Sequence, residues 1–151
     1  MTIVDKPGGL DRPLRKTAAR YYEEQRVAPE VDADRHFQRS ERRTAERLRV
    51  LGFRVLSIDD TSELPDADAL VDGLPVEIKS TSVGTENAVY KQIRRAALKT
   101  DRVVLDASGT PLDLTTATRA VANVVRVSGR SLREILIFMG SGDAVSWGRD
   151  E

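Results

Sequence analysis

Asp68, Glu77 and Lys79, in the middle of the chain, have the side-chain types and the spacing for acid, base and metal chemistry. Between them lies Val71-Asp72-Gly73-Leu74, and Asp-Gly flanked by apolar runs is the strongest short-range signal for a two-residue β-hairpin. With Asp72 and Gly73 as the loop, directly opposed residues have numbers summing to 145, which sets Asp68 against Glu77 and Asp66 against Lys79. Period-2 alternation sends Asp66, Asp68, Glu77 and Lys79 to one face and Val71, Val76 and Ile78 to the other. Two carboxylates directly across a ladder repel. A divalent cation, Mg2+ or Mn2+, relieves that repulsion, since Mg2+ is commonly held by one or two carboxylates plus water and substrate phosphate. An exposed hairpin with Lys79 paired to an acid would relieve it too.

A third carboxylate comes from an earlier helix. Phe37, Ala45, Leu48 and Leu51 fall near helical spacing, with Gly52 at the position of a C-terminal cap. Glu41 precedes Ala45 by four and Leu48 by seven, on the stripe that should face a sheet, where a carboxylate is costly unless paired or bound to metal. Glu46, by contrast, sits among arginines as a solvated partner.

The remaining pattern supplies the elements that must position these groups. A helix is expected over Asp11 to Val27, then the helix from Phe37 to Leu51, a strand through Phe53 to Ile58, and the hairpin. A helix over Thr85 to Lys99 carries Ala88, Ile93, Ala96 and Ala97 at helical spacing, and Arg102 to Asp106 reads as a short buried strand. A helix from Leu114 to Val127 closes at Gly129, and Leu132 to Met139 and Ala144 to Trp147 form a last hairpin. Helices alternating with strands pack as α/β, with one mixed central sheet flanked by helices. Residues 1–34 are expected as a lead-in and helix, and residues 35–151 as the functional domain.

Length and composition narrow the classes. The 151 residues suit one domain, and 40% apolar with 32% charged residues describes a globular chain. Zero Cys excludes a disulfide or thiolate site, and the single His36 excludes chemistry that needs two histidines. No apolar run approaches a membrane span and no secretory signal is visible, so a cytoplasmic place of action without membrane partners is expected. The 24 basic and 24 acidic residues cancel, yet they are segregated. Asp59 to Glu86 holds eight acids against Lys79, while Asn87 to Arg102 holds five bases against Asp101. Lys91, Gln92, Arg94, Arg95 and Lys99 on the later helix are candidates for nucleic-acid contact, or else form a solvated helix face. Tyr21 and Tyr22 suit packing of the first helix better than base stacking, and Trp147 suits the core.

Glu41 eleven residues before Gly52, the strand that follows, Asp68, and Glu77-Ile78-Lys79-Ser80 together resemble the PD-(D/E)xK nuclease superfamily over about Arg39 to Asp106. Within it, the spacing of nine from Asp68 to Glu77, the basic helix before DRVVLD and the closing LREILIFMGSGDAVSW look most like the C-terminal tRNA nuclease domain of CdiA contact-dependent growth-inhibition toxins. The resemblance implies a restriction-endonuclease-like core and an Mg2+-dependent (or Mn2+-dependent) endonuclease that acts on RNA, tRNA above DNA. It implies Glu41, Asp68, Glu77 and Lys79 as catalytic residues, metal held by Asp68, Glu77, the Ile78 carbonyl and Glu41, Gln92 near the site, and an immunity protein as partner. The literal Pro65-Asp66 leaves Asp66 in competition with Asp68. Two other readings stay open: a DNA endonuclease of the junction-resolvase or restriction/repair type, and a non-catalytic nucleic-acid-binding domain of the same fold. Toxin domains of this kind are usually the tail of a very long secreted protein, and no delivery module is visible in these 151 residues, so the resemblance is expected to cover the nuclease domain and not its delivery.

Overall fold

In a computed structural model, the structure describes residues 33–59, 67–129 and 131–149. The expected helix over Asp11 to Val27, both tyrosines in it, and Asp66 lie outside the described residues. The elements are α1 (Arg39–Val50), β1 (Val55–Ser57), β2 (Ala69–Val71), β3 (Leu74–Ser80), α2 (Glu86–Ala97), β4 (Arg102–Asp106), α3 (Leu114–Ser128), β5 (Glu134–Phe138) and β6 (Ala144–Gly148). The strands form a single mixed six-stranded sheet in the order β1-β2-β3-β4-β5-β6. β3, β4 and β5 run parallel, and the remaining neighbours pair antiparallel. This is the α/β architecture with helices on the sheet that the element order implies.

The hairpin carries the expected register. Val71 pairs with Leu74 and Ala69 with Val76. Asp72 and Gly73 both adopt positive φ, 49° and 82°, as a type I′ turn requires. The Asp72 carboxylate also accepts a hydrogen bond from the Arg54 amide at 2.8 Å, tying the turn to the chain entering β1.

Alternation splits the core into two faces. Val76 and Ile78 of β3, with Val104 and Leu136, pack beneath Ala45 and Leu48 of α1. Val103, Leu105, Ile135 and Ile137 pack beneath Val89, Ile93 and Ala96 of α2 and Ala117, Ala120 and Val124 of α3. The free edge of β1 is covered by Arg49 of α1, whose guanidinium donates to the Val55 carbonyl at 3.0 Å and to Asp34 at 2.6 Å. Asp34 beside it raises the Arg49 pKa, so this edge guard is a permanent cation.

Where β4 and β5 begin, Arg102 and Glu134 stand side by side in register, both buried, with Arg102 Nε 3.3 Å from Glu134 Oε1. Arg102 therefore does not extend the basic surface of α2 that its sequence neighbours suggest. At the opposite end of these strands the connecting loops meet at Thr110. Its hydroxyl donates to the Ala107 carbonyl at 2.7 Å and accepts from the Leu112 amide at 3.2 Å. A Cβ on Gly84 would approach Thr110 Oγ1 to 2.6 Å, and one on Gly140 would overlap the Thr110 carbonyl.

The turn yields a first prediction. Gly73→Ala forces a side chain into left-handed backbone and should cost about 1–2 kcal/mol in urea unfolding. Gly109→Ala, with open space around it and no positive φ, should leave the midpoint nearly unchanged.

Candidate active site

Asp68 stands one residue before β2, and its amide donates to the Val76 carbonyl at 3.1 Å. That extends the ladder and places Asp68 across from Glu77. Asp68 Oδ2 in turn accepts the Ile78 amide at 2.9 Å. β3 continues past the start of β2, so an amide with no strand partner is satisfied by a carboxylate. The Ile78 carbonyl leaves the same edge of β3, as the two groups of one strand residue do.

Glu77 and Lys79 alternate with Val76 and Ile78, and so face the side covered by α2. Glu77 is only 2% exposed. Its Oε2 makes no hydrogen bond, and lies 3.4 Å from Lys99 Nζ and 3.8 Å from Lys79 Nζ. Burial, followed by the adjoining Asp68 carboxylate, pushes the Glu77 pKa up to about 8 against the opposing pull of Lys99 and Lys79. Burial beside Asp68 thus favours the protonated form of Glu77. The arrangement is two carboxyls side by side, with two lysines flanking Glu77.

The structure thus brings together Asp68, Glu77, Lys79 and the edge of Ile78, and adds Lys99 from the end of α2. Glu41 is placed differently. It lies in the first turn of α1, the helix over the opposite face, and its Oε1 accepts the Gln38 amide at 2.7 Å in a capping box. The neighbouring turn of α1 reaches β4 instead: Thr44 Oγ1 lies 3.4 Å and Arg47 Nε 3.7 Å from Asp106 Oδ2. Among the described residues no group of three or more His, Cys, Asp or Glu side chains is close enough to hold a metal ion. Gln92 is half-buried, while Lys91, Arg94 and Arg95 are exposed on α2. Arg94 lies over the Tyr90 ring, 6.0 Å from its centroid, and donates to its hydroxyl at 3.2 Å. His36 is exposed, and its amide donates to Ser57 Oγ at 3.1 Å.

The proximity of Lys99 to Glu77 was hidden in the sequence, where Lys99 is one base among five. The signal available was its place at the end of the helix: the residues just after Ala97 lead back toward the start of β4, beside Glu77's neighbour Val103. A hollow of about 430 Å3 lies elsewhere, between α3 and β6, lined by Val121, Val125, Val145 and Trp147 among others. Arg126 is its one titratable lining group, so the hollow lacks the carboxyl and lysine cluster found around Glu77.

A six-stranded mixed sheet carrying the buried Glu77 against the half-buried Asp68, beside two lysines, defines an α/β domain with a compact cluster of titratable groups. Residues 65–143 match the sequence model of the family described as the contact-dependent growth inhibition CdiA C-terminal domain, and the chain belongs to that family. The fold is similar to a chain of the CdiA-CT/CdiI toxin and immunity complex from Burkholderia pseudomallei, with a TM-score of 0.56 and 10% identity over 97% of this chain and 98% of that one. No curated protein matches the sequence significantly. Among the described residues no helix is long and apolar enough to cross a membrane.

The raised Glu77 pKa has a measurable sign. Its proton is bound more tightly in the folded than in the unfolded chain, so the stabilisation is complete below about 4.5 and is lost as pH rises through about 8. In EDTA, the urea midpoint of the wild-type protein should fall across that window. Glu77→Gln should flatten the decline.

Proposed function

We propose that this domain is a toxin nuclease of the PD-(D/E)xK type, cleaving a phosphodiester bond in RNA, with tRNA as the favoured substrate and Mg2+ or Mn2+ as cofactor. The observation that carries the reading is Glu77: a buried carboxyl with an unbonded oxygen, set against Asp68 and flanked by Lys79 and Lys99. A buried carboxyl set beside another carboxyl is costly in a merely structural role. It becomes useful where a cation or developing charge must be held.

The donor set fits a hard divalent ion. Asp68 and Glu77 supply two carboxylates, the Ile78 carbonyl lies on the same strand edge, and Mg2+ accepts one or two carboxylates with water completing its shell. Bound there, the ion supplies acidity to a coordinated water and positive charge for the phosphate. The protein's own groups do the rest. Asp68 is oriented by the Ile78 amide, and Glu77 would hold the ion in its anionic form. Lys79, on a rigid strand and with 28% of its side chain exposed, orients the attacking water or stabilises charge on the phosphate. Glu41 joins this set only through water. Since Gln also serves in a capping box, Glu41→Gln separates its two roles: cleavage kept at unchanged stability leaves Glu41 as a cap, and cleavage lost returns it to the site.

The family and the toxin–immunity complex of similar fold support a growth-inhibitory role and an immunity protein as partner. The preference for tRNA rests on the resemblance in sequence.

The test is to incubate wild-type, Glu77→Gln and Lys79→Ala protein with labelled total tRNA, duplex DNA and branched DNA, each with Mg2+, Mn2+ or EDTA. Metal-dependent tRNA cleavage is expected for the wild type, with losses of at least about a hundredfold in either variant. Cleavage confined to DNA would reassign the substrate. Inactivity of folded wild-type protein on all substrates would sink the nuclease reading.

A further inference from the structure

Helix α2 carries its bases on more than one side, and only one side meets Glu77. Its buried face is Val89, Ile93, Ala96 and Ala97. The turn continues past the helix end, with Leu98 N donating to the Arg95 carbonyl and Lys99 N to the Ala96 carbonyl. Gln92 and Arg95 therefore precede Lys99 by seven and four residues in a continuing turn and share its flank. Thr100 Oγ1, 3.4 Å from the Pro75 carbonyl, pins that end of the helix to β3. Arg94 turns away, held over Tyr90.

We propose that the substrate backbone enters the site along the α2 flank formed by Gln92, Arg95 and Lys99, with Lys99 contacting the phosphate at which the chain is cut. The inference deepens the nuclease reading and rests on it. Lys99 is the closer of the two ammonium groups to Glu77, at 3.4 Å, yet 56% of its side chain is exposed. Its long stem is anchored at one end only. It can exchange a buried carboxylate for an incoming phosphate without disturbing the fold, which Lys79 on its strand is less free to do. Gln92, half-buried on the same flank, offers a neutral amide toward the backbone or a 2′-hydroxyl. Arg95, one turn before Lys99 and exposed, suits the adjacent phosphate.

The test uses labelled tRNA with Mg2+ and compares wild type with Lys79→Ala, Lys99→Ala, Lys99→Arg, Arg95→Ala, Arg94→Ala and, as a charge control on α3, Arg119→Ala. Lys99→Ala should lower kcat/KM about tenfold or more, Arg95→Ala less, Arg94→Ala least of the three, and Arg119→Ala within about twofold of wild type. Lys99→Arg should restore most of the loss. In a Glu77→Gln background, Lys99→Ala should still weaken tRNA binding and reduce the magnitude of the log–log salt slope by about 0.7, as expected for one lost single-strand phosphate contact. No binding loss in that background would show that Lys99 serves only Glu77, and would overturn the inference. So would equal losses at Lys99 and Arg94. Failure of the inference leaves wild-type cleavage and the Lys79→Ala defect intact, whereas failure of the nuclease reading removes wild-type cleavage as well.

Discussion

The two-residue turn at Asp72-Gly73 governs everything chemical in this fold. Side chains in a strand alternate with period two, so a slip of one residue in the β2–β3 register would move Glu77 and Lys79 to the α1 face and expose Val76 and Ile78 to the other. Positive φ at both turn residues prevents the slip. The hydrogen bond from the Arg54 amide to Asp72 locks the turn from outside. Because the register holds, Asp68 meets Glu77, and because β3 outruns β2, the Ile78 amide is left for Asp68 to accept. The carboxyl pair is thus a product of strand geometry before it is a product of packing.

The parallel half of the sheet answers a different need. The β3–α2–β4 unit swings the helix over the face that bears Glu77 and returns Lys99 to within 3.4 Å of it. The cations beside Glu77 therefore come from two sources of unequal exposure: Lys79 from the strand itself and the more exposed Lys99 from the end of α2. Two positive charges beside a buried carboxyl would ordinarily ionise it. Desolvation, followed by the Asp68 neighbour, opposes them and raises the Glu77 pKa to about 8.

Local patterning made much of this legible. The hairpin register, the face shared by Asp68, Glu77 and Lys79, and the limits of the Arg102–Asp106 strand all follow from period two and from turn chemistry, which act over a few residues. Three placements did not follow. Arg102 reads as one more base after a basic helix, but its partner Glu134 is 32 residues away on the neighbouring strand, a pairing that only the tertiary fold creates. Glu41 sits on a stripe that does face the sheet, and helical spacing says nothing about which face of the sheet that is. Lys99 could be assigned to a basic helix from composition, but not to the end that folds back onto Glu77.

The meeting of loops at Thr110 carries a consequence for how such domains diversify. Two positions there, Gly84 and Gly140, have no room for a side chain, so the connections after β3, β5 and, through Thr110 itself, β4 form a single fitted joint. Insertions or a change of loop length at that end would have to be compensated in all three connections at once. Gly109, by contrast, borders open space and could take a side chain without such cost. Sequence change is then channelled away from the loop joint and toward the exposed flank of α2, where a residue can change without repacking a neighbour. Relatives should vary in the charge pattern of that helix sooner than in the glycines that close the far end of the sheet.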